Sequence, residues 1–347
     1  MEVGYTGRTR TRLRVLLVRQ LISSFVASDI RLLRSRFAVL DYDYRSSSHP
    51  ALHLIRWMLD HRADFDIVVV WFGDVHATVA ILAAFFLRKP SAILVGGYDV
   101  SALPGHGFLA TPRGRFLARI HFSLCTQILP VAPSLVADLV KIFPGAERKT
   151  RVIPTGCDTD FWSPGPGGNR DAVLSVALAG DRHRVYVKGL DRVVECGRHM
   201  PQRRFKIVGL APEIAPQLSP FPPNLSWKPP ISPVELRSEY RSAMVYLQLS
   251  RAEGLPNVLT EAMACGCIPV VTNIGGMSDL VNGAGFVVNP DDIDGIVAAI
   301  ERAFDHGELQ GRCRERVEQG FALDRREREL SEAIEALVHS TARDRHP

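Results

Sequence analysis

Residues 250–271 read SRAEGLPNVLTEAMACGCIPVV, and this passage decides the fold. Just upstream, the apolar run at 244–249 predicts a strand ending before Ser250. Gly254, Leu255 and Pro256 then make a turn, and Pro256 suits the first turn of a helix, where a missing N–H costs nothing. Val258, Leu259, Ala262, Met263 and Ala264 give that helix an apolar side. Gly266 ends it, and residues 268–272 predict the next strand. The passage is a strand–helix–strand unit, the building block of a parallel sheet.

Two carboxylates sit in this unit, Glu253 before the helix and Glu261 within it. At ~1.5 Å per helical residue they lie about 10–12 Å apart along the axis. Between them is the helix N-terminus (Gly254, Leu255, Pro256, Asn257 and Val258), whose free N–H groups and positive dipole end suit a diphosphate. A ligand with a hydroxylated group at each end of a diphosphate fits this spacing, with ribose at Glu261 and a sugar at Glu253. The plain alternative is an N-terminal-turn Glu and a surface Glu, since Glu pairs on helices are common.

Outward from this unit the same rhythm runs along the whole chain. Strands are expected at 13–18, 37–40, 66–72, 92–95, 127–131 and 151–153, with helices at 29–34, 50–61, 75–87, 114–122 and 134–142. The linker Ser163-Pro-Gly-Pro-Gly-Gly-Asn169 follows. The alternation then restarts, with strands at 172–178, 205–208, 224–227, 245–249, 268–271 and 285–288. Helices fill 188–199, 233–242, 256–265, 293–304 and 308–319. The expected fold class is α/β, two doubly wound Rossmann-like domains facing across a cleft. Residues 1–165 form the first domain, 166–323 the second, and 324–347 a charged helix or tail with Leu330, Ile334 and Leu337 at helical spacing. Ligands in such sheets bind beyond the carboxyl ends of the strands.

A chain of 347 residues with 46% hydrophobic and 23% charged residues reads as globular. The charge-free, mainly apolar run at 77–87 is too short to span a bilayer. No secretory signal is evident. Six scattered cysteines without a C-x-x-C pair suit a reduced, cytoplasmic protein, with Cys265 and Cys267 packing in the core. Residues 1–165 carry 20 Lys+Arg against 13 Asp+Glu, while the remainder carries 22 against 24. Arg8, Arg10, Arg12 and Arg14 open the chain. That run suits peripheral contact with an anionic membrane at the inner face, a lipid-diphosphate acceptor, or simple solvation. Nucleic acid is not an expected partner, because no aromatics interleave the basic residues.

Glu253, Glu261 and the following Ala-Met-Ala-Cys-Gly-Cys-Ile-Pro-Val-Val, with Gly275-Gly276-Met-Ser-Asp-Leu-Val, resemble the C-terminal domain of glycosyltransferase family 4 (glycosyl transferases group 1). The resemblance runs from about residue 151 to 304 and weakens in the first half. It implies the GT-B fold and a final helix that crosses back to the first domain. It also implies a retaining, metal-independent transfer from a nucleoside-diphosphate sugar to a glycan, lipid or small-molecule acceptor, with no cofactor beyond the donor. Val152-Ile-Pro-Thr-Gly-Cys-Asp-Thr-Asp-Phe-Trp-Ser-Pro164 is similar to the family's interdomain segment and places Gly156 near the donor. Tyr186-Val-Lys188-Gly189 matches the segment whose lysine meets the diphosphate, with Arg182 or Arg184 as the accompanying arginine. Gly209 would let backbone approach the nucleotide, and Ile231 stands where the family's backbone meets the base.

The first domain departs from the family pattern. No Gly-Gly loop follows the first strand, and the position of the family histidine reads as Gly96. Asp99 remains as a catalytic candidate beside Glu253 and Lys188. His106 lies in the following loop, and His76 opens a helix after a strand. The missing histidine keeps an inactive nucleotide-sugar-binding partner subunit open, and a sugar-nucleotide epimerase on the same fold is a further alternative.

Overall fold

The computed structural model describes residues 12–343. In the first domain the order is β1 (Arg14–Arg19), α1 (Ser24–Arg36), β2 (Ala38–Asp43), α2 (Pro50–Asp60), β3 (Ile67–Trp71), α3 (Val75–Phe86), β4 (Ser91–Val95), α4 (Pro112–Leu124), β5 (Gln127–Pro130) and α5 (Ser134–Ile142). The strands pair in parallel in the order β2-β1-β3-β4-β5. Every residue of β3 and β4 is buried, as helices on both faces require.

The second domain runs β6 (Ala172–Ala179), α6 (Arg182–Val187), α7 (Leu190–His199), β7 (Arg204–Leu210), β8 (Leu225–Lys228), α8 (Pro233–Ser242), β9 (Ala243–Gln248), α9 (Asn257–Ala264), β10 (Ile268–Thr272), α10 (Met277–Val281), β11 (Phe286–Val288), α11 (Ile293–Asp305) and α12 (Leu309–Gly320). Its sheet is parallel, in the order β11-β10-β9-β6-β7-β8. Pro256 is the N-cap of α9 rather than its first residue, and β9 and β10 are wholly buried. The two doubly wound domains expected from the alternation are present.

Three local differences have physical reasons. Residues 151–153 form no strand. Arg151 and Ile153 donate to the carbonyls of Ile128 and Pro130 alongside β5, but Pro154 has no N–H to continue the ladder. The short α6 was not expected. Asp181 caps it, accepting from the N–H of Arg184 at 2.6 Å, and Val185 and Val187 bury its inner side. Gly189 then breaks the chain at φ +67, with no room for a Cβ against the Leu249 carbonyl, so α7 starts after Lys188.

The last helix, α13 (Leu323–Arg343), packs on α1 of the first domain. Its Arg326 is fully buried and reaches Asp29 through two bonds of 2.6 and 3.1 Å and the Ile153 carbonyl at 2.5 Å. Asp29 also accepts from the Trp71 indole at 2.9 Å. Glu327 pairs with Arg36, and Glu332 with Arg151. Among the described residues no helix is long and apolar enough to cross a membrane.

Candidate active site

In an open parallel sheet, a crevice forms where the strand order reverses. The first sheet reverses between β1 and β3, the second between β6 and β9. Both reversals open onto one cavity of about 1070 Å³, lined by Gln20, Phe72 and Asp74 from the first domain and by Leu178, Glu253 and Asn273 from the second.

Glu253 leaves the carboxyl end of β9 and is held in this cavity by three donors. Its Oε1 accepts from Lys188 Nζ at 2.5 Å, Gln248 Nε2 at 2.9 Å and Ser250 Oγ at 2.9 Å. Among the described residues, Oε2 takes no donor. The Glu253 side chain is 9% exposed and that of Lys188 23%, so the pair is screened from water yet reachable from the cleft. Gln248 and Ser250 interrupt the apolar β9 run at its end, and that interruption was the sequence signal for Glu253's supports.

Glycines let the two domains touch beside this carboxylate. A Cβ on Gly254 would lie 1.8 Å from the Gly96 carbonyl oxygen, and one on Gly97 would lie 2.7 Å from the Gly254 nitrogen. Gly276 N donates to Gly254 O at 2.6 Å, tying the loop after β10 to the same seam. At Gly96, where the family histidine would stand, a Cβ would lie 2.6 Å from the Phe72 ring. Phe72 holds a φ of +71, so an aromatic ring fills the space that a residue-96 side chain would need.

Asp99 is corrected by this geometry. It is fully buried, and its oxygens accept from the backbone N–H groups of Gly73 at 2.6 Å, Gly96 at 2.6 Å and Gly97 at 3.1 Å. Burial pushes its carboxyl up to about 6 against the pull of these donors. Asp99 ties the loops after β3 and β4 together and presents no oxygen to a substrate. His76 lies at the cleft floor with Nε2 on the Trp71 carbonyl at 2.8 Å, which fixes Nδ1 as acceptor from Gln20 at 2.7 Å. Burial lowers its pKa to about 4, so it is neutral and orients Gln20.

The remaining predicted residues divide. Arg184 lines the cleft, and its guanidinium has no hydrogen-bond or ion-pair partner among the described residues; Arg182 does not line the cleft. Glu261 stands away from the cleft lining. Its Oε2 accepts from the Tyr240 hydroxyl at 3.2 Å, and burial raises its carboxyl to about 7. Leu255 and Pro256 are buried, Val258 is half-buried, and the Asn257 side chain accepts from Thr155 at 2.9 Å. Gly156 faces α13 instead of the cleft, where a Cβ would lie 3.0 Å from Leu323 and Arg326. Gly209, at φ +98, answers to its neighbour strand, with the Ala177 carbonyl 2.5 Å from a built Cβ. Ile231 packs half-buried in the loop between β8 and α8.

The first-domain half of the cavity has an apolar floor, including Leu109, Leu135 and Ile142, and a cationic rim of Arg45, Arg115, Arg119 and Lys141. Lys141 is tied to Asp138 at 2.7 Å, whereas Arg119 has no partner among the described residues. These cations, dispersed along the sequence, were not foreseen. The basic run at the start is placed differently from the expectation. Arg8 and Arg10 lie outside the described residues, Arg12 bonds the Ser35 carbonyl, and Arg14 is bidentate to Asp66. The Arg14 guanidinium is therefore engaged within the protein.

The sequence model of "Glycosyl transferases group 1" matches residues 183–320, most of the second domain. Among curated proteins, the MMP alpha-(1->4)-mannosyltransferase of Mycolicibacterium hassiacum is 24% identical over 52% of this chain and 45% of its own length. The D-inositol 3-phosphate glycosyltransferase of Xylanimonas cellulosilytica is 25% identical over 55% of this chain and 49% of its own. The chain thus spans about half the length of the curated relatives it matches. Among solved structures, sucrose-phosphate synthase from Thermosynechococcus elongatus superposes with a TM-score of 0.76 at 14% identity, covering 95% of this chain and 100% of that one. Anabaena HepE in complex with UDP gives 0.75 at 15% identity, covering 93% and 100%. The fold is that of the GT-B glycosyltransferases.

Proposed function

We propose that this protein is a retaining glycosyltransferase that moves a sugar from a nucleoside-diphosphate sugar to a glycan or lipid-linked acceptor without a metal. The observation that carries the reading is the Lys188–Glu253 pair before the first turn of α9, at the strand-order reversal of the second sheet. The match to glycosyl transferases group 1 and the named activities of the two curated relatives support the same reaction class. The HepE structure holding UDP supports a nucleotide-bound donor.

On this reading the ion pair is a resting arrangement. An incoming diphosphate takes Lys188 as a charge-assisted donor. Glu253 keeps Gln248 and Ser250 on Oε1 and offers Oε2 to sugar hydroxyls, so it stays oriented when the lysine leaves. Positive charge then develops on the sugar and negative charge on the leaving phosphate. Glu253 stabilises the first; Lys188, Arg184 and the α9 N–H groups stabilise the second. Glu261, beyond the helix start, would take the ribose. The apolar floor with a cationic rim favours an acceptor that is lipid-linked and anionic.

The absence of a side chain at Gly96, with Phe72 in its place, favours one other reading, a donor-binding subunit without transfer activity. A panel of nucleotide sugars screened by thermal shift identifies the donor. Incubation with that donor and candidate lipid acceptors, with the product's anomeric configuration read by NMR, then decides. Product with retained configuration is expected. Donor binding without turnover would leave the inactive-subunit reading, and an inverted product would overturn retention.

A further inference from the structure

His106 lines the cavity wall and His183 packs beside it, and the donor site as described uses neither. His106 sits in the loop after β4, between Gly105 at φ +74 and Gly107 at φ +101. The loop is pinned: Phe108 N donates to Tyr98 O at 2.9 Å, Leu109 N donates to Ser101 O at 3.1 Å, and the Tyr98 ring meets His106 edge-on. A Cβ on Gly107 would lie 2.1 Å from the Ser101 carbonyl oxygen, so glycine is required there. Across the cleft, His183 projects from α6 of the other domain. The two imidazole centroids are 5.9 Å apart, and the ring of His183 is 3.2 Å from a Cβ built on Gly105. His183 Nε2 is buried and has no hydrogen-bond partner.

These rings share their surroundings with Arg184, on the same short helix, and with Lys188 at its end. The charged groups acting on His106 are His183, Arg184 and Lys188 on one side and Glu253 on the other. The carboxylate is already engaged by Lys188. Four basic groups from two domains therefore converge, with Glu253 as the carboxylate among them. Resting on the donor reading above, we infer that His106 and His183 grip the donor's diphosphate together with Arg184 and Lys188, so that bound diphosphate links the two domains.

A proton follows from this arrangement. Burial first, then His183, Lys188 and Arg184, hold the His106 pKa below its usual value in the empty cleft, with Glu253 opposing. A diphosphate reverses the sign of the local charge and raises it. Between the free and bound values, binding takes up a proton, and affinity must rise as pH falls through the bound value.

Calorimetry of UDP binding to the full chain tests this, at pH 6 and pH 8 and in buffers of different ionisation enthalpy. UDP carries its own phosphate titrating near ~6, so the reading is the difference between wild type and His106→Gln. Wild type should take up more protons than His106→Gln at pH 6. His106→Gln should bind about 3–10-fold more weakly at pH 6, with a smaller deficit at pH 8, since its charged contact is lost only where it is charged, and His183→Gln should also bind more weakly. Independently of any variant, the imidazole NMR signal of His106 in wild type should titrate at higher pH with UDP bound. Equal proton uptake in wild type and variant, or an unmoved His106 titration, would overturn the inference while leaving the donor site intact. Failure of both UDP and GDP to bind wild type would overturn the donor site and this inference with it.

Discussion

Two ion pairs organise this molecule, and they differ in what surrounds them. Arg326–Asp29 joins α13 to the first domain with 0% and 5% of the side chains exposed, and every hydrogen-bond partner of the guanidinium is a protein oxygen. Lys188–Glu253 joins α6 to the loop after β9 with 23% and 9% exposed, and it faces a cavity. The first pair has no competitor, because no anion can reach it. On the proposed reading the second exchanges its carboxylate for a diphosphate, and Gln248 and Ser250 keep Glu253 in place afterwards. Burial makes an ion pair a clamp; a cavity beside it makes it a ligand site.

Breaking the clamp has the largest expected effect. Arg326→Met leaves Asp29 buried with only the Trp71 indole, which should cost about 3–5 kcal/mol. A urea melt of the variant should show early loss of the first domain, and an unchanged midpoint would remove the contrast between the two pairs. Glu253→Gln should lower kcat by roughly 10²-fold, because it removes charge beside a sugar that turns positive only in the transition state. Nucleoside-diphosphate affinity should not fall, because that ligand carries no sugar and Lys188 loses its competing carboxylate. Loss in affinity with unchanged kcat would mean that Glu253 holds the nucleotide instead.

Smaller effects sharpen the comparison within the carboxylates. Asp99→Asn keeps one acceptor oxygen but turns an amide N–H₂ toward backbone N–H groups. It should cost roughly 2 kcal/mol and lower the melting temperature by about 4–8 °C. Diphosphate binding should persist; its selective loss in a stable variant would return Asp99 to the site. Glu261 ionises near its ordinary 4.5 in an unfolded chain but only near about 7 when buried in the fold. The folded state therefore holds the extra proton between these values, and wild-type stability should fall as pH rises through them. Against Glu261→Gln, the loss should be on the order of 1–2 kcal/mol, reduced from the full shift for relaxation and water entry. Parallel stability profiles for the two proteins between pH 4.5 and 7.5 would show that Glu261 is not held in this state.

The parts that were legible in the sequence are those set by short-range pattern. Strand–helix alternation announced both sheets, and the Glu253-to-Glu261 passage located α9 and the carboxylate before it. Lys188 could be read from the Tyr186-Val-Lys188-Gly189 segment, whereas the helix break at Gly189 could not. What stayed hidden depends on contacts between distant residues. Asp99 looked catalytic because its sequence does not show that three backbone N–H groups from two loops exhaust it. Gly156 looked like a donor glycine, yet its missing Cβ makes room for α13. Arg14 read as a free cation until Asp66 was brought beside it. The His106–His183 approach joins loops of different domains, and local spacing carries no trace of it.

On the proposed reading, Lys188 belongs to Glu253 only until a diphosphate arrives. Calorimetry of the nucleoside diphosphate and of the matching nucleotide sugar, on wild type and on Lys188→Ala, tests it most directly. Removing one charge-assisted contact is worth roughly 1.5–3 kcal/mol, so both ligands should bind about 10–100-fold more weakly. Thermal stability should change little, because the lysine is partly exposed and Glu253 keeps two neutral donors. Unchanged affinity for the diphosphate in a folded Lys188→Ala protein would mean that Lys188 does not meet the diphosphate.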